Sequence, residues 1–310
     1  MRIDAHLHVA PEEYVAVLAK VPGPPGTPEF TLPHAEAFMR RYEIDAAVIS
    51  TGPPGVFFGD QQRANDLARA LNERYAQIVA AAPDRFAALA TLPLPDLDAS
   101  IDELRHALDE LGLDGVWLPS NVAGGYLGDE RLDPLLGELD ARGAYVLVHP
   151  FFPPYQAPLE RWPVWLIEFP FETTRAIVNL IYSGTFDRYP SIRFQFSHLG
   201  GTAPFLAERI GSLVARESRF RAAIAHEPAH YLGRVWYDTA LANAPAGLAA
   251  AAQVAAGERI VFGTDWPYAA LPEEGGDPAP ALAGLGSARA GVDGANIGAL
   301  VPRFQAKEED

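Results

Sequence analysis

Two histidines lie two residues apart near the start of the sequence, in the segment DAHLH. In an ideal strand, residues i and i+2 project from the same face, so the imidazoles of His6 and His8 could grip one metal ion. Two partly exposed histidines without any ligand would have the same spacing. The pair alone therefore leaves metal binding and a structural role equally open.

Three further candidate ligands follow apolar runs later in the chain. His149 ends the run VLVH, His198 ends FQFSH, and Asp265 ends IVFGTD. Four of the eight histidines thus lie at the ends of predicted strands, where chance would have scattered them. Histidine and carboxylate are the usual protein ligands of zinc, and they also suit manganese or iron. Since the sequence has no cysteine, any metal must be bound by nitrogen and oxygen.

Short runs rich in β-branched and aromatic residues alternate with helical patterns along the whole chain. The eight runs are RIDAH, DAAVIST, FAALATL, GVWLP, AYVLVH, IRFQFSH, VWYDTA and RIVFGTD. Their nearly continuous apolar character indicates parallel strands buried on both faces. Eight alternations predict an α/β fold and favour a closed (β/α)₈ TIM barrel over an open doubly wound sheet. In such a barrel the strand ends meet at one mouth, where the candidate ligands would converge.

The segments that follow the predicted strands are long and rich in proline, glycine and aromatic residues. They include TGPPGVFFGD, PSNVAGGYLGDERL, PFFPPYQAPLERWPVW and WPYAALPEEGGDPAP, and we expect VPGPPGTPEF to belong to the same rim. In a barrel these loops build the active-site face. Their aromatic side chains suit a flat, unsaturated ligand, although packing of a loop against the barrel is the commoner role. Phe151, Trp165 and Trp266 are the candidates for substrate contact.

Length and composition favour one globular domain over residues 1–310, with a charged tail from about residue 303. The net charge of −16 argues against nucleic acid as a partner. No apolar run approaches the length of a membrane span, and the first ten residues carry charges and histidines where a signal peptide would be apolar. We therefore expect a cytoplasmic protein that does not bind membranes.

Five segments together resemble the amidohydrolase superfamily, in the amidohydrolase-2 branch that contains aminocarboxymuconate-semialdehyde decarboxylase and related aromatic-acid decarboxylases. The segments are FETTRAIVNLIYSGTFDRYPSIRFQFSHLGGTAPFLAERI, RIDAHLHVAP, VLVHPF, VFGTDWPY and GANIGALVPRF. The resemblance covers nearly the whole chain, and it is more specific for the family than for the reaction. It implies a barrel that holds a divalent metal.

The resemblance also implies roles for individual residues. The positions that match the family's metal ligands are His6, His8, His149 and Asp265. His198 matches the catalytic histidine, and Asp265 would double as a proton shuttle. Binuclear branches need a bridging carboxylated lysine, whereas the two lysines of this chain, Lys20 and Lys307, lie away from strand ends. A single divalent ion is therefore implied, with Zn²⁺ as the default and Mn²⁺ as the alternative.

One arginine carries an implication for assembly. Arg209, in the segment LAERI, matches an arginine that in relatives reaches the substrate carboxylate of a neighbouring subunit, which implies a homodimer. A second carboxylate-binding arginine of the semialdehyde decarboxylase corresponds to Ala37, and the nearby Arg40 and Arg41 do not align with it. This departure puts that particular substrate in doubt.

The leading interpretation is a non-oxidative decarboxylase of a small aromatic or unsaturated carboxylic acid, such as a hydroxybenzoate. The same metal ligands would serve a hydrolase that attacks a lactone or amide with metal-bound hydroxide, or a hydratase. A barrel without catalytic activity is the remaining alternative, which the complete ligand set disfavours.

Overall fold

The protein is described by a computed structural model that covers residues 1–21, 30–159, 161–269, 271 and 273–305. Eight parallel strands follow one another around a single sheet in the order β1-β2-β3-β4-β7-β8-β9-β10. They are β1 (Ile3–His8), β2 (Ala46–Ser50), β3 (Phe86–Thr91), β4 (Gly115–Pro119), β7 (Tyr145–His149), β8 (Arg193–Phe196), β9 (Trp236–Asp238) and β10 (Ile260–Val261). A short antiparallel hairpin, β5 (Asn121–Val122) and β6 (Gly125–Tyr126), lies in the loop after β4.

The sheet closes on itself through the chain that follows β10. The amide of Ala5 donates to the carbonyl of Phe262 at 2.8 Å, and the amide of Asp265 donates to the carbonyl of His6 at 2.8 Å. These bonds join the last strand to the first. The predicted (β/α)₈ barrel is therefore confirmed, and each of the eight predicted strand runs overlaps an observed strand.

Helices between the strands form the outer layer of the barrel. They are α1 (Glu12–Leu18), α2 (Leu32–Arg41), α3 (Gln61–Ala81), α4 (Leu97–Arg105), α5 (Asp133–Ala141), α6 (Val164–Tyr182), α7 (Thr185–Arg188), α8 (Ala207–Arg216), α9 (Ser218–Ala222), α10 (Pro228–Arg234) and α11 (Pro245–Ala252). Side-chain caps start two of them, since Asp60 accepts from the amide of Arg63 and Asp96 from the amide of Ala99. Among the residues that the structure describes, no helix is both long and apolar enough to cross a membrane.

Alternation along each strand separates two apolar layers. On β7, Val146 and Val148 face the helices, whereas Tyr145 and Leu147 face the barrel interior. The interior layer is made mainly of small and medium side chains from the other strands, with Trp117 of β4 as its largest member. Because this layer fills the lower barrel, the side chains at the strand ends have space only at the mouth.

The end of the described chain closes the opposite opening of the barrel. Ile297, Leu300, Val301 and Phe304 are buried in the same cluster as the interior residues of β1 and β2. Arg303 pairs with Asp114 at 2.5 Å, just before β4. Residues 303–305 therefore pack as part of the barrel floor, and the rest of the expected charged tail lies outside the described residues.

We predict that replacing Phe304 with alanine lowers the free energy of unfolding by about 3 kcal/mol, because its buried ring would leave a cavity. Urea unfolding followed by circular dichroism measures this change. Phe57→Ala serves as the control, since Phe57 is 41% exposed, and should cost about 1 kcal/mol or less. Equal effects of the two substitutions would contradict the role of Phe304 as a floor residue.

Candidate metal centre at the barrel mouth

A change of register in β1 aims both of its histidines into the barrel. Ile3 and Ala5 face the interior, so strict alternation would turn His6 and His8 outward. The pairing of β1 with β2 shifts between Asp4 and Leu7, as in a β-bulge, and beyond the shift Leu7 packs in the outer layer. An irregularity of this kind re-aims side chains next to functional sites. The two imidazoles thus share the interior face.

Four of the predicted residues meet around one carboxylate oxygen. Three imidazole nitrogens lie close to Oδ1 of Asp265. The distances from this oxygen to Nε2 are 3.3 Å for His6, 3.0 Å for His8 and 3.7 Å for His149. The Nε2 atoms of His6 and His8 are 3.2 Å apart. Ligand atoms bound at about 2.1 Å to one tetrahedral ion lie about 3–3.5 Å from each other. The spacing therefore fits a single divalent ion.

His198 approaches the other oxygen of the same carboxylate. Its Nε2 lies 3.2 Å from Oδ2 of Asp265. One ligand atom each from His6, His149, His198 and Asp265 all lie within 4.8 Å of one another. His198 is thus part of the cluster, but it lies on the side of Asp265 away from the oxygen where the other three imidazoles gather.

The tautomer of His149 supports the fit to a metal. Its Nδ1 donates to the carbonyl of Pro150 at 2.7 Å, so Nε2 carries the lone pair. This Nε2 is buried and has no hydrogen-bond partner among the described residues. A buried imidazole nitrogen with a free lone pair, aimed at a carboxylate and two further imidazoles, is a suitable donor for a cation.

His8 is held by a close approach of the loop after β2. Its Nδ1 lies 3.1 Å from Oγ of Ser50. Gly52 adopts a positive φ of 71°, and a Cβ at this position would come within 2.6 Å of the His8 ring. Glycine is therefore required there both by the backbone conformation and by the space that the ring needs.

Asp238 at the end of β9 connects two members of the cluster, and sequence reasoning did not select it. Its Oδ2 accepts from Nδ1 of His6 at 3.1 Å and from Nε2 of Gln195 at 2.9 Å. Its Oδ1 accepts from the amide of His198 at 2.9 Å. A carboxylate of this kind fixes the tautomer and orientation of a ligating histidine. The signal was present in the sequence, because Asp238 ends the predicted strand in VWYDTA.

Asp4 braces the cluster from the other side, and sequence reasoning passed over it as well. One carboxylate oxygen accepts from the amides of His6 and Thr264, and the other accepts from the hydroxyl of Thr264 at 2.6 Å. Burial raises the pKa of Asp4 to about 7, against the lowering effect of these hydrogen bonds. The carboxyl ties the first strand to the turn that carries Asp265.

Backbone strain marks His198 and Asp265, the two residues whose side chains contact each other at 3.2 Å. His198, Leu199 and Asp265 have positive φ values of 57°, 51° and 61°, which non-glycine residues rarely adopt. The bond from the amide of His198 to Asp238 helps to hold this conformation. Beyond it, Gly201 passes so close to the carbonyl of Pro170 on α6 that a Cβ would not fit. The turn after β8 is thereby fixed against α6.

Electrostatics sets distinct charge states within the cluster. Burial lowers the pKa of His8, and it lowers the pKa of His149 to about 3, so both rings are neutral. Burial would also lower the pKa of His6, but the carboxylates of Asp238 and Asp265 outweigh it and raise the pKa to about 10. The neighbouring histidines hold the pKa of Asp265 well below its usual range despite burial. A divalent ion would replace the proton on Nε2 of His6 and be bound by the anionic carboxylate of Asp265, while Asp238 stays bonded to Nδ1 of His6.

Aromatic residues chosen from the sequence fall into different environments. Phe151 contacts Trp117 and Phe152, with ring centroids 6.4 Å and 5.4 Å apart, and lies two residues from His149. The ring of Trp266 stacks on Phe38 of α2 at 5.3 Å, between the strands and the helices. This placement favours loop packing over substrate contact for Trp266, because the neighbour of an inward-facing residue points outward.

Trp165 lies in the first turn of α6 and is 61% exposed. Further along this helix, the ring of Phe169 contacts His149 at 6.4 Å between centroids. Sequence reasoning did not select Phe169. The structure thus brings the helix, rather than only the loops, against the cluster.

A buried carboxylate on α6 anchors the loops around the mouth. Glu172 accepts from Nδ2 of Asn121 at 3.0 Å, from the hydroxyl of Tyr126 at 2.8 Å and from Arg175 at 2.8 Å. Asn121 also donates to the carbonyl of Phe152. The hairpin after β4 and the loop after β7 are thus bound to one side chain, which gives the rim a defined shape.

The basic residues singled out from the sequence lie outside the cluster. Arg209 is exposed on α8, and its side chain forms no ion pair with any described residue. Arg40 and Arg41 are exposed in the last turn of α2. Lys20 is exposed after α1, and Lys307 lies outside the described residues. No described lysine is therefore placed to bridge two metals.

Comparison with known proteins identifies the family of this chain. The family model described as amidohydrolase matches residues 3–286. A 2-amino-3-carboxymuconate-6-semialdehyde decarboxylase from Dictyostelium discoideum is 35% identical over 241 residues, which span 74% of this chain and 65% of that protein. A 6-methylsalicylic acid decarboxylase from Penicillium expansum is 31% identical over 276 residues, 86% of this chain and 85% of that protein.

A solved structure shows the same fold. The 5-carboxyvanillate decarboxylase from Novosphingobium aromaticivorans, complexed with manganese and 4-hydroxy-3-methoxy-5-nitrobenzoic acid, superposes with a TM-score of 0.86 at 22% identity. The match covers 97% of this chain and 95% of that one. With the family match over residues 3–286 and the identity to two curated decarboxylases, this chain belongs to the amidohydrolase family.

Proposed function

We propose that the protein is a metal-dependent, non-oxidative decarboxylase of a small aromatic acid of the hydroxybenzoate type. The observation that carries the proposal is the convergence of three imidazole nitrogens on Oδ1 of Asp265, with His198 on the other oxygen. The curated relatives described above are named as decarboxylases, one of them of a methylsalicylic acid. Aromatic rings beside His149 suit a flat substrate.

The proposed ligands of one divalent ion are His6, His8, His149 and Asp265. A bound ion would orient the oxygens of the substrate and withdraw electron density from them. The donor set suits Zn²⁺ and Mn²⁺ alike, and the manganese in the structure of the 5-carboxyvanillate decarboxylase makes Mn²⁺ the first alternative to test.

His198 and Asp265 would handle the proton that decarboxylation consumes. Their side chains are 3.2 Å apart, so one proton can be shared between Nε2 and Oδ2. Transfer of this proton to the ring carbon that bears the carboxylate interrupts aromaticity. The carbon–carbon bond then breaks, CO₂ leaves, and the bonding electrons restore the ring. Water returns a proton to the pair, so that one carboxylate and one proton give one arene and one CO₂.

We predict that the purified protein releases CO₂ from at least one acid in a panel of hydroxybenzoates, and that His149→Ala abolishes both bound metal and activity. Metal analysis by mass spectrometry and CO₂ detection measure the two effects. His106→Ala is the control, because His106 bonds Glu110 on the outside of α4 and should keep both. Release of acid from lactones without any CO₂ would instead favour the hydrolase alternative.

We predict that His198→Gln keeps the metal but lowers kcat about 10²–10⁴-fold, since glutamine cannot exchange the proton. Metal content and turnover are measured on the same preparation. Unchanged turnover would remove His198 from the proposed proton transfer, and loss of the metal would assign it to the ligands.

We further propose that two copies associate and that Arg209 of one contributes to the mouth of the other. Phe205, just before α8, is 81% exposed, and Arg209 follows it by four residues without an ionic partner among the described residues. Trp162, Trp165 and Leu166 around the start of α6 are also exposed. Large exposed apolar side chains usually mark an interface. We propose that a second copy covers this exposed surface. The reason is that no described arginine pairs with the carboxylates of the cluster, so an arginine at the mouth would have to come from another subunit.

We predict that Arg209→Ala and His198→Gln subunits complement each other when mixed under conditions that exchange subunits. In a two-fold dimer, half of the molecules are hybrids, and each hybrid holds one intact site, so about a quarter of wild-type activity should return. Activity and native mass spectrometry give the two readouts. Hybrids that form without any recovery would rule out the contribution of Arg209 across the interface. Arg216→Ala is the control, because Arg216 lies at the end of the same helix. The activity of this variant alone should equal that of the wild type.

A further inference from the structure

Two buried polar atoms without a partner lie near the barrel mouth. Among the described residues, six buried side-chain atoms have no hydrogen bond, and Arg2 Nε and Asp293 Oδ1 account for two because they face each other at 3.5 Å. Two more, on His106 and Trp236, lie on a helix and at the amino-terminal end of β9. The remaining two are Nε2 of His149 and Nε1 of Trp117.

Trp117 lies directly beneath the proposed metal ligands. It pairs in register with Leu147, two residues before His149, and it is only 4% exposed. Its ring contacts His149 at 6.1 Å and Phe151 at 6.4 Å between centroids. The indole therefore forms part of the floor of the mouth, in contact with both a proposed ligand and a proposed wall residue.

The orientation of the ring leaves the N–H edge away from the loop after β2. A Cβ built on Gly55 of that loop would lie 4.0 Å from Cζ3 of Trp117. In indole, Cζ3 and Nε1 are on opposite edges, so the N–H group faces away from Gly55. Leaving such a donor buried and unpaired is unfavourable, and buried tryptophans normally find a partner. The floor thus contains one buried donor that no described residue satisfies.

We propose that the Nε1–H group of Trp117 donates to an uncharged oxygen on the substrate ring, and that this contact selects ring-hydroxylated acids over unsubstituted ones. The inference rests on the proposed function, because it assumes that the mouth receives an aromatic acid. An indole is a neutral donor and suits a hydroxyl oxygen, whereas a carboxylate is better matched by a cation. A binding site that offers a buried donor disfavours analogues that lack the acceptor.

The test compares the binding of 2-hydroxybenzoate and benzoate by the metal-loaded wild type and by Trp117→Phe, using isothermal titration calorimetry. Phenylalanine keeps an aromatic ring but removes the N–H group. We expect Trp117→Phe to weaken 2-hydroxybenzoate about tenfold, the loss of one hydrogen bond, and to leave benzoate within about twofold. Metal content and the thermal midpoint of both proteins establish that the variant is folded.

Trp236→Phe is the matched control. Trp236 also has an unpartnered Nε1, but it stacks on Arg259 at 3.8 Å at the far end of the barrel. Its substitution should change neither affinity. A second readout uses the wild type alone with ¹⁵N-labelled tryptophan: one indole proton should move downfield with 2-hydroxybenzoate and not with benzoate, which keeps the proposal testable if the variant fails to fold.

The outcomes separate this inference from the proposed function. Equal weakening of both acids by Trp117→Phe, no weakening at all, or binding of neither acid by the wild type would overturn the role of Trp117. Selective weakening of 2-hydroxybenzoate, combined with no CO₂ release from any acid, would support the contact and reject the decarboxylase.

Discussion

The barrel mouth depends on the mutual compensation of charges and lone pairs that are buried together. Four imidazoles and the carboxylates of Asp238 and Asp265 are withdrawn from water in a space where each would be unfavourable alone. The Nε2 atoms of His6, His8 and His149 lie close to Oδ1 of Asp265. Nε2 of His198 lies close to Oδ2 of the same carboxylate. Asp238 binds His6 from behind. Removing one member would leave another with an unpaired buried charge or lone pair, so the positions of these side chains depend on one another.

The fold supplies this set through local irregularities in an otherwise regular sheet. The register shift in β1 turns His6 and His8 inward, and the positive φ values of His198 and Asp265 aim those side chains across the mouth. Each irregularity is held by a buried hydrogen bond, from the amide of His198 to Asp238 and from the amides of His6 and Thr264 to Asp4. In regular strands, the side chains of these residues would point in different directions and would not converge at the mouth.

The sequence predicted the barrel well because its signals are local. The run GVWLP was expected as a strand and is β4, and the run FAALATL was expected as a strand and contains β3. The convergence of His6, His8, His149, His198 and Asp265 also followed from their places at strand ends. It was harder to predict whether a side chain faces the barrel interior or the outer layer of helices. Trp266, after the last strand, packs outward on Phe38, whereas Trp117, in the middle of β4, points inward beneath His149.

Residues that support the site from a distance were missed for a different physical reason. Asp238 contacts His6 across 232 positions, and Glu172 reaches Asn121 across 51. Such contacts depend on how the barrel closes and how α6 lies on it, which no periodicity encodes. A carboxylate in a helix is usually a solvated surface group, so Glu172 carried no sequence signal, whereas Asp238 at a strand end carried a weak one.

The choice between chemistries must arise outside the common ligand set, since the same imidazoles and carboxylate could serve hydrolysis or decarboxylation. Outside the cluster, His149 contacts the rings of Trp117 and Phe169, and Trp117 in turn contacts Phe151. Among the described residues, Asp265 and Asp238 form ion pairs with histidines and with no arginine. A weakly polar pocket destabilises an anionic carboxylate more than neutral CO₂, because burial penalises charge. For the proposed decarboxylase, such an environment would assist the loss of CO₂ from an aromatic acid.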